Sequence, residues 1–93
     1  MRPYELTTIF TTEEELYQQS KAAVLETLKN LGAELVKEEE LGEKALAYEI
    51  KDKTRGRYAL FVVNMMPDKI NEAQKVFKLD KNILKHLFVR AEN

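Results

Sequence analysis

The sequence has no cysteine and a single histidine, His86, and both scarcities limit the chemistry open to the chain. Without cysteine, disulfide bonds and thiol catalysis are excluded. A serine–histidine–acid arrangement would rest on Ser20 and His86 alone, and each falls in a segment typical of structural packing. The runs of glutamate lack the ligand spacing of a metal site. We therefore predict no catalytic residues, no metal and no cofactor.

Glycine and long apolar runs are also scarce. The three glycines, Gly32, Gly42 and Gly56, are isolated and mark predicted caps, bends or turns, so there is no glycine-rich phosphate loop. No apolar stretch approaches the ~20 residues that a membrane-spanning helix needs. The first residues lack the apolar core of a signal peptide. We expect residues 1–93 to form one cytoplasmic domain without a membrane or small-molecule substrate as partner.

Charge is abundant but nearly balanced, with a formal net charge of −1. Acidic residues cluster at Glu13–Glu15 and Glu38–Glu40. Basic residues cluster in two later groups: Lys51, Lys53, Arg55 and Arg57, and then Lys75, Lys78, Lys81 and Lys85. A sum near zero can therefore hide a basic face.

The first third of the chain predicts a strand followed by a helix. Residues Tyr4 to Phe10 alternate in polarity and include strand-favouring side chains. Thr12 followed by Glu15 is a capping-box pattern, and Gly32 is well placed to cap the helix end. We predict a helix from about Thr12 to Leu31. Its apolar face would contain Leu16, Ser20, Ala23, Val24, Thr27, Leu28 and Leu31.

The remaining sequence predicts two strands, a helix and a final strand. The predicted elements are a strand over Ala33–Ile50 with a bend near Gly42, a turn over Asp52–Gly56, a strand from Arg57 to about Met66, a helix opened by Pro67, and a strand over Ile83–Val89. Proline suits the first turn of a helix. The apolar side of that helix would contain Ile70, Ala73, Val76 and Phe77.

The resulting order, β-α-β-β-α-β, predicts an α+β, ferredoxin-like fold. Right-handed crossovers place both helices on the same face of a four-stranded antiparallel sheet. The opposite face then has no helical cover. Exposed apolar patches on small domains often mark interaction sites, so this face is a candidate partner surface.

Residues 58–63, Tyr-Ala-Leu-Phe-Val-Val, are apolar at every position. Alternate side chains of a strand point to opposite faces, so half of them would lie under the helices and half on the uncovered face. Phe61 or Leu60, and Val63 or Val62, could be the outward-facing members. The sequence leaves this parity open, because a bulge near Gly42 would invert it.

Strand direction also places the basic residues. The hairpin over residues 51–57 would lie at the same end of the sheet as the close of the second helix and the start of the last strand. Arg2 and Arg90 would meet at the opposite end, on neighbouring strands. Such groups could hold the phosphates of a nucleic acid without reading its sequence. The plain alternative is that these side chains are only solvated.

Several short motifs resemble the bacterial ribosomal small-subunit protein six family. The start, Met1-Arg2-x-Tyr4-Glu5, is similar to that family's usual start, and Gly42-x-Lys44-x-Leu46-Ala47-Tyr48-x-Ile50-Lys51 resembles its signature. The other matching motifs are Gly56-x-Tyr58, Met66-Pro67 and Asp80-x-x-Ile83-Leu84-Lys85. The resemblance extends over nearly the whole chain, in order and with compatible spacing.

The resemblance implies a non-catalytic component of the small ribosomal subunit. Members of the family bind the central domain of small-subunit ribosomal RNA together with ribosomal small-subunit protein eighteen. The uncovered sheet face would then pack against that partner, for which we select Tyr48, Phe61 and Val63. The candidate phosphate contacts are Arg2, Lys51, Lys53, Arg55, Arg57, Lys85 and Arg90.

A second interpretation remains open from the residues. The same fold could form a stand-alone regulatory module that binds a small ligand as a homodimer. That interpretation predicts self-association and a ligand-dependent shift in melting temperature.

Overall fold

The computed structural model describes residues 1–91, and its elements follow the predicted order. The strands are β1 (Arg2–Phe10), β2 (Glu34–Ile50), β3 (Lys53–Met65) and β4 (Ile83–Arg90). Helix α1 spans Glu14–Asn30, and α2 spans Ile70–Lys78 after a single 3₁₀ turn over Pro67–Lys69.

The four strands form one antiparallel sheet in the order β2-β3-β1-β4. The core lies between one face of this sheet and the two helices. Its members include Val24 and Leu28 from α1, Phe77 from α2, and Phe61 from β3. The predicted ferredoxin-like fold, with both helices on one face, is confirmed.

Strand β3 alternates as predicted, and the structure settles its parity. Phe61 and Val63 are 0% exposed and belong to the helix-covered core. Leu60 and Val62 are only partly buried and point to the other face. The assignment of Phe61 and Val63 to the partner surface is therefore wrong, because the helices already cover both side chains. The pairing of β2 with β3 contains three register shifts, so the parity of β3 could not be inferred from the sequence of β2.

The ends of α1 test two predicted caps. Gly32 has φ +79°, and the amide of Ala33 donates to the carbonyl oxygen of Leu28 at 2.9 Å. This is the six-to-one hydrogen bond of a Schellman motif, so the predicted glycine cap is confirmed. The predicted capping box is wrong. The N-cap is Glu13, one residue past Thr12, and it makes no side-chain cap hydrogen bond.

The connection between β2 and β3 is tighter than the predicted turn over Asp52–Gly56. The loop is Lys51-Asp52, closed by the Ile50–Lys53 pair. Both loop residues have positive φ, 51° and 65°. Two-residue loops with positive φ at both positions match the right-handed twist of a hairpin. The ladder therefore continues through residues that the sequence assigned to the turn.

Strand β2 cannot be straight. Its 17 residues would extend over about 53 Å at ~3.3 Å per residue, whereas the longest dimension of the molecule is 36 Å. One register shift lies between Glu40 and Gly42, where Gly42 has φ +88°. Another lies between the Ala45–Arg55 and Ile50–Lys53 pairs, where residues 46–49 stand opposite residue 54 alone. We call the segment over residues 44–56 the hairpin tip.

The hairpin tip leans across the end of β1 to reach β4. The ammonium of Lys51 donates to the carbonyl oxygen of Ile83 at 3.0 Å, although β1 separates β3 from β4 in the sheet. Gly56 lies at the point of closest approach. A Cβ there would overlap Cγ2 of Ile9 and lie 3.3 Å from the backbone oxygen of Phe10.

We predict that Gly56→Ala lowers the free energy of unfolding by about 1–3 kcal/mol, the usual cost of overpacking. Urea denaturation would measure it. In an Ile9→Ala background the overlapping methyl group is gone, so the same substitution should cost clearly less. Equal costs in both backgrounds would contradict the close approach of Gly56 to Ile9.

Candidate functional site

The face of the sheet opposite the helices is apolar at its centre. We call it the open face, and its central side chains are Thr7, Ile9, Tyr58, Leu60, Val62, Leu87 and Val89. Leu87 is 53% exposed and Val89 is 48% exposed. Leu87 and Val89 therefore present apolar surface to solvent beside the partly exposed Tyr58, Leu60 and Val62, while Ile9 is only 8% exposed.

Tyr48 lies at the rim of the open face and is 61% exposed. Its hydroxyl accepts a hydrogen bond from the ammonium of Lys85 at 3.2 Å, and the same ammonium lies 5.7 Å from the centre of its ring. Of the three side chains selected for partner contact, only Tyr48 is therefore accessible. Leu60 and Val62 occupy the outward positions of β3 instead of Phe61 and Val63.

Charged side chains of both signs surround the apolar centre. The ammonium of Lys44 lies 5.4 Å from the ring centre of Tyr58. Lys37 and Glu39, on the edge strand, form an exposed ion pair at 3.9 Å. Glu5 is exposed on β1. An apolar centre within a polar rim is the usual anatomy of a protein interface.

One basic group lies at the end of the sheet where β1 begins. Arg2 stands opposite Met65, and Arg90 stands opposite Tyr4 on the other side of β1. Both arginines are exposed. They are close to each other in the sheet, as the predicted strand directions require.

The second basic group lies at the other end, around the hairpin tip. Lys51 contacts the start of β4, and Lys85, on β4, contacts Tyr48 of the hairpin tip, so these two contacts join the hairpin tip to β4. Lys53 is exposed on the hairpin tip. These three lysines are brought to one end of the molecule.

The two arginines of the hairpin are already engaged with carboxylates. Arg55 Nε lies 2.7 Å from Glu43 Oε2. Arg57 donates to Glu14 at the start of α1, and its guanidinium carbon lies 3.7 Å from the ring centre of Tyr17. Arg57 therefore packs beneath α1 on the helix-covered side and joins the hairpin to the helix.

Tyr17 also fastens α1 to strand β2. Its hydroxyl donates to Glu40, and Lys21 lies 2.5 Å from Glu38. Burial and then the hydrogen bond to Glu40 raise the pKa of Tyr17. The hydrogen bond from Tyr17 and then the charge of Lys21 lower the pKa of Glu40. Part of the acidic run of β2 is therefore held by α1.

A cleft of about 410 Å³ opens beside the edge strand β4 and is lined by Lys51, Phe77, Lys78, Ile83, Leu84, Lys85 and His86. Three of these residues are lysines, and the described residues that line the cleft include no carboxylate. Burial, then the charges of Lys78 and Lys51, lower the pKa of His86. Strand direction predicts that Lys78 lies at the same end as the hairpin lysines, but the sequence does not select Lys78 as a phosphate contact and indicates a structural role for His86, because the cleft combines residues from three separate elements.

Two kinds of feature are missing from residues 1–91. None of their helices has the length and apolar character needed to cross a membrane. No group of three or more histidine, cysteine or acidic side chains within that range is arranged to hold a metal ion.

The fold and its open face define a small α+β protein with a basic group at each end of its sheet. A family profile described as "Ribosomal protein S6" matches residues 3–90. The chain belongs to this family. It is the same family that the sequence motifs resemble, and its members are ribosomal proteins rather than enzymes.

Named relatives agree with this family over their full length. The small ribosomal subunit protein bS6 of Treponema denticola is 46% identical over 93 residues, with all of both chains covered. That of Treponema pallidum strain Nichols is 40% identical, again over all of both chains. A crystal structure of 30S ribosomal protein S6 from Thermotoga maritima has a TM-score of 0.89 at 22% identity, covering 97% of this chain and 87% of the other. The last comparison shows the shared fold.

Proposed function

We propose that the protein is a structural constituent of the small ribosomal subunit, located with the ribosome in the cytoplasm. It binds the central domain of small-subunit ribosomal RNA jointly with ribosomal small-subunit protein eighteen. The open face carries the partner, and the basic groups at the two ends of the sheet contribute to the RNA surface. The observation that carries this proposal is the apolar open face of a chain in the ribosomal protein S6 family.

The proposed partner surface consists of Tyr48 at the rim and Tyr58, Leu60, Val62 and Leu87 at the centre. Leu87 and Tyr48 are each more than half exposed, and a partner would remove their apolar surface from water. A chain of net charge −1 gains little from long-range attraction to RNA. A basic partner on the open face would supply that attraction, and Glu5 on this face offers it a carboxylate.

The proposed RNA surface keeps five of the seven basic residues predicted from sequence: Arg2, Lys51, Lys53, Lys85 and Arg90. Arg57 is left out because Glu14 and the Tyr17 ring already hold its guanidinium. Arg55 is left out because RNA would have to displace Glu43 from it. Exchanging one anion for another at an exposed pair gives little net energy.

Sedimentation velocity tests the proposal directly. The pure protein should sediment as a monomer, should form a one-to-one complex with the partner protein, and should bind a central-domain RNA fragment only weakly without it. Sedimentation as a homodimer that does not bind the partner protein would overturn the proposal. It would favour the stand-alone regulatory module, whose subunits would pair through the same open face.

We predict that joint RNA binding weakens steeply with added salt, because each phosphate contact releases counterions. Five contacts at 0.7 to 0.9 per phosphate give a slope of about −4 in a plot of log K against log salt. Filter binding of the heterodimer over a salt series measures it. Charge removal at Lys53 should lower the slope, whereas charge removal at Lys29, on α1, should not. A flat response would rule out the electrostatic account.

A further inference from the structure

We propose that the cleft beside β4 holds one phosphate group of the RNA backbone. Lys51 and Lys78 supply its positive charge, and protonated His86 supplies a further hydrogen-bond donor. This inference rests on the proposed RNA-binding function and adds Lys78 and His86 to it. The cleft is assembled from the hairpin tip, the end of α2 and the start of β4.

The charges in the cleft are not neutralised by the protein itself. None of the ion pairs among residues 1–91 includes Lys51, Lys78 or Lys85. Lys51 is held by a neutral oxygen, the Ile83 carbonyl, whereas the ammonium of Lys85 lies toward the open face, where it donates to the Tyr48 hydroxyl. The neutral carbonyl fixes the position of the Lys51 ammonium without cancelling its charge. An anion that enters the cleft therefore meets two unneutralised lysines, of which Lys51 is already held in place.

The cleft is large enough for a phosphate group together with the adjoining part of the RNA backbone. Its volume of about 410 Å³ is far larger than the ~30 Å³ that one water molecule occupies in the liquid. Phe77, Ile83 and Leu84 form an apolar part of its wall. Such a wall lowers the local dielectric constant and strengthens attraction between the lysines and an anion.

The protonation of His86 should make anion binding in the cleft depend on pH. Its ring packs edge-on against Phe77, with 5.6 Å between ring centres. The surrounding groups are Phe77 and Lys78 from α2, Lys51 from the hairpin tip, neutral Thr8 opposite it on β1, and Lys85 beside it on β4. Burial and the two lysine charges disfavour the imidazolium and lower the pKa of His86. A bound anion would offset those charges and restore the protonated form.

NMR on the isolated chain tests the site without RNA. The probe is inorganic sulfate, a tetrahedral dianion whose charge is constant over the titration, with chloride at equal ionic strength as reference. The pKa of His86 should begin below its ordinary value and rise by about 1 with sulfate, as it does when an opposite charge comes within contact range. Lys78→Gln should abolish the rise. Lys75→Gln, on the same helix but outside the cleft, should preserve it. A pKa that sulfate does not change would overturn the proposal.

RNA binding by the heterodimer tests whether the anion is an RNA phosphate. Loss of one whole phosphate contact would weaken binding about fivefold at 0.1 M salt and lower the salt slope by about 0.7, so removing one of the lysines that share the phosphate should weaken binding and lower the slope by up to about these amounts. Lys78→Gln should give both changes, and Lys75→Gln neither. Wild-type affinity should also rise as pH falls toward 6, and His86→Gln should remove that rise. If Lys78→Gln leaves RNA affinity unchanged while sulfate still binds, the RNA assignment is wrong. If the heterodimer binds no RNA at all, the proposed function fails, separately from the sulfate result.

Discussion

Val62→Asp should abolish binding of the partner protein while leaving the chain folded. Val62 lies at the centre of the open face, and its side chain points away from the helix-covered core. In the complex, the aspartate would be buried without a counter-charge. Hot-spot substitutions near the centre of an interface cost about 2 kcal/mol or more, and about 2.7 kcal/mol corresponds to a 100-fold weaker Kd. We therefore expect at least about 100-fold weaker binding in isothermal titration calorimetry.

Val76→Asp is the matched control. Val76 is 48% exposed on α2, on the opposite side of the sheet from the open face. It therefore makes the same chemical change to an exposed valine outside the proposed interface. Its partner affinity should equal that of the wild type, and circular dichroism should show both variants folded. Equal affinities for Val62→Asp and Val76→Asp would remove the open face from the proposed partner surface.

Phe61→Ala should destabilise the fold strongly. Phe61 is 0% exposed and packs in the core between the sheet and the two helices. Removing a buried phenyl group costs about 3–5 kcal/mol, against a total stability of about 5–15 kcal/mol for a small domain. Urea denaturation measures the difference. The change should be far larger than any effect at the neighbouring open-face position.

Leu60→Ala is the internal reference, since Leu60 is adjacent in the same strand and only partly buried. It should cost about 1 kcal/mol, as substitutions outside a packed core commonly do. A cost for Leu60→Ala as large as that of Phe61→Ala would mean that both faces of β3 are packed within the isolated chain. The open face would then need no partner.

The contrast between these two residues marks the limit of sequence reasoning about this fold. A run of six apolar residues predicts a strand with two apolar faces, because successive side chains of a strand point to opposite faces of the sheet. It does not identify which set lies under the helices. That choice depends on the register with β1 and on the irregularities of β2 near Gly42, which only the paired strands define.

Helix α1 shows what local signals can and cannot give. The sequence predicts its bounds to within two residues, because apolar spacing and Gly32 are both local. The predicted apolar face omits Tyr17, although Tyr17 lies three residues before Ser20 and seven before Val24, on the same side. That spacing could have identified it as buried. Its contacts with Arg57 and Glu40 are long-range and cannot be read from spacing.

The candidate site is predictable in residue type but not in arrangement. The sequence correctly places basic residues at both ends of the sheet, because strand direction follows from topology. Which of them face carboxylates cannot be inferred, since Arg57 reaches Glu14 across 43 positions of sequence. The cleft cannot be predicted either, because it also depends on contacts between distant parts of the sequence. Lys51, Lys78 and His86 form one cleft only because the hairpin tip leans toward β4.

Methyl NMR of the chain with its partner protein tests the central claim most directly. If the apolar face without helices is the docking surface, the methyl signals of Leu60, Val62 and Leu87 should shift on titration. Those of Val24 and Leu28, on the buried face of α1, should remain in place. Shifts confined to the helical side, or a complex that forms with the open-face methyl signals unchanged, would contradict the account.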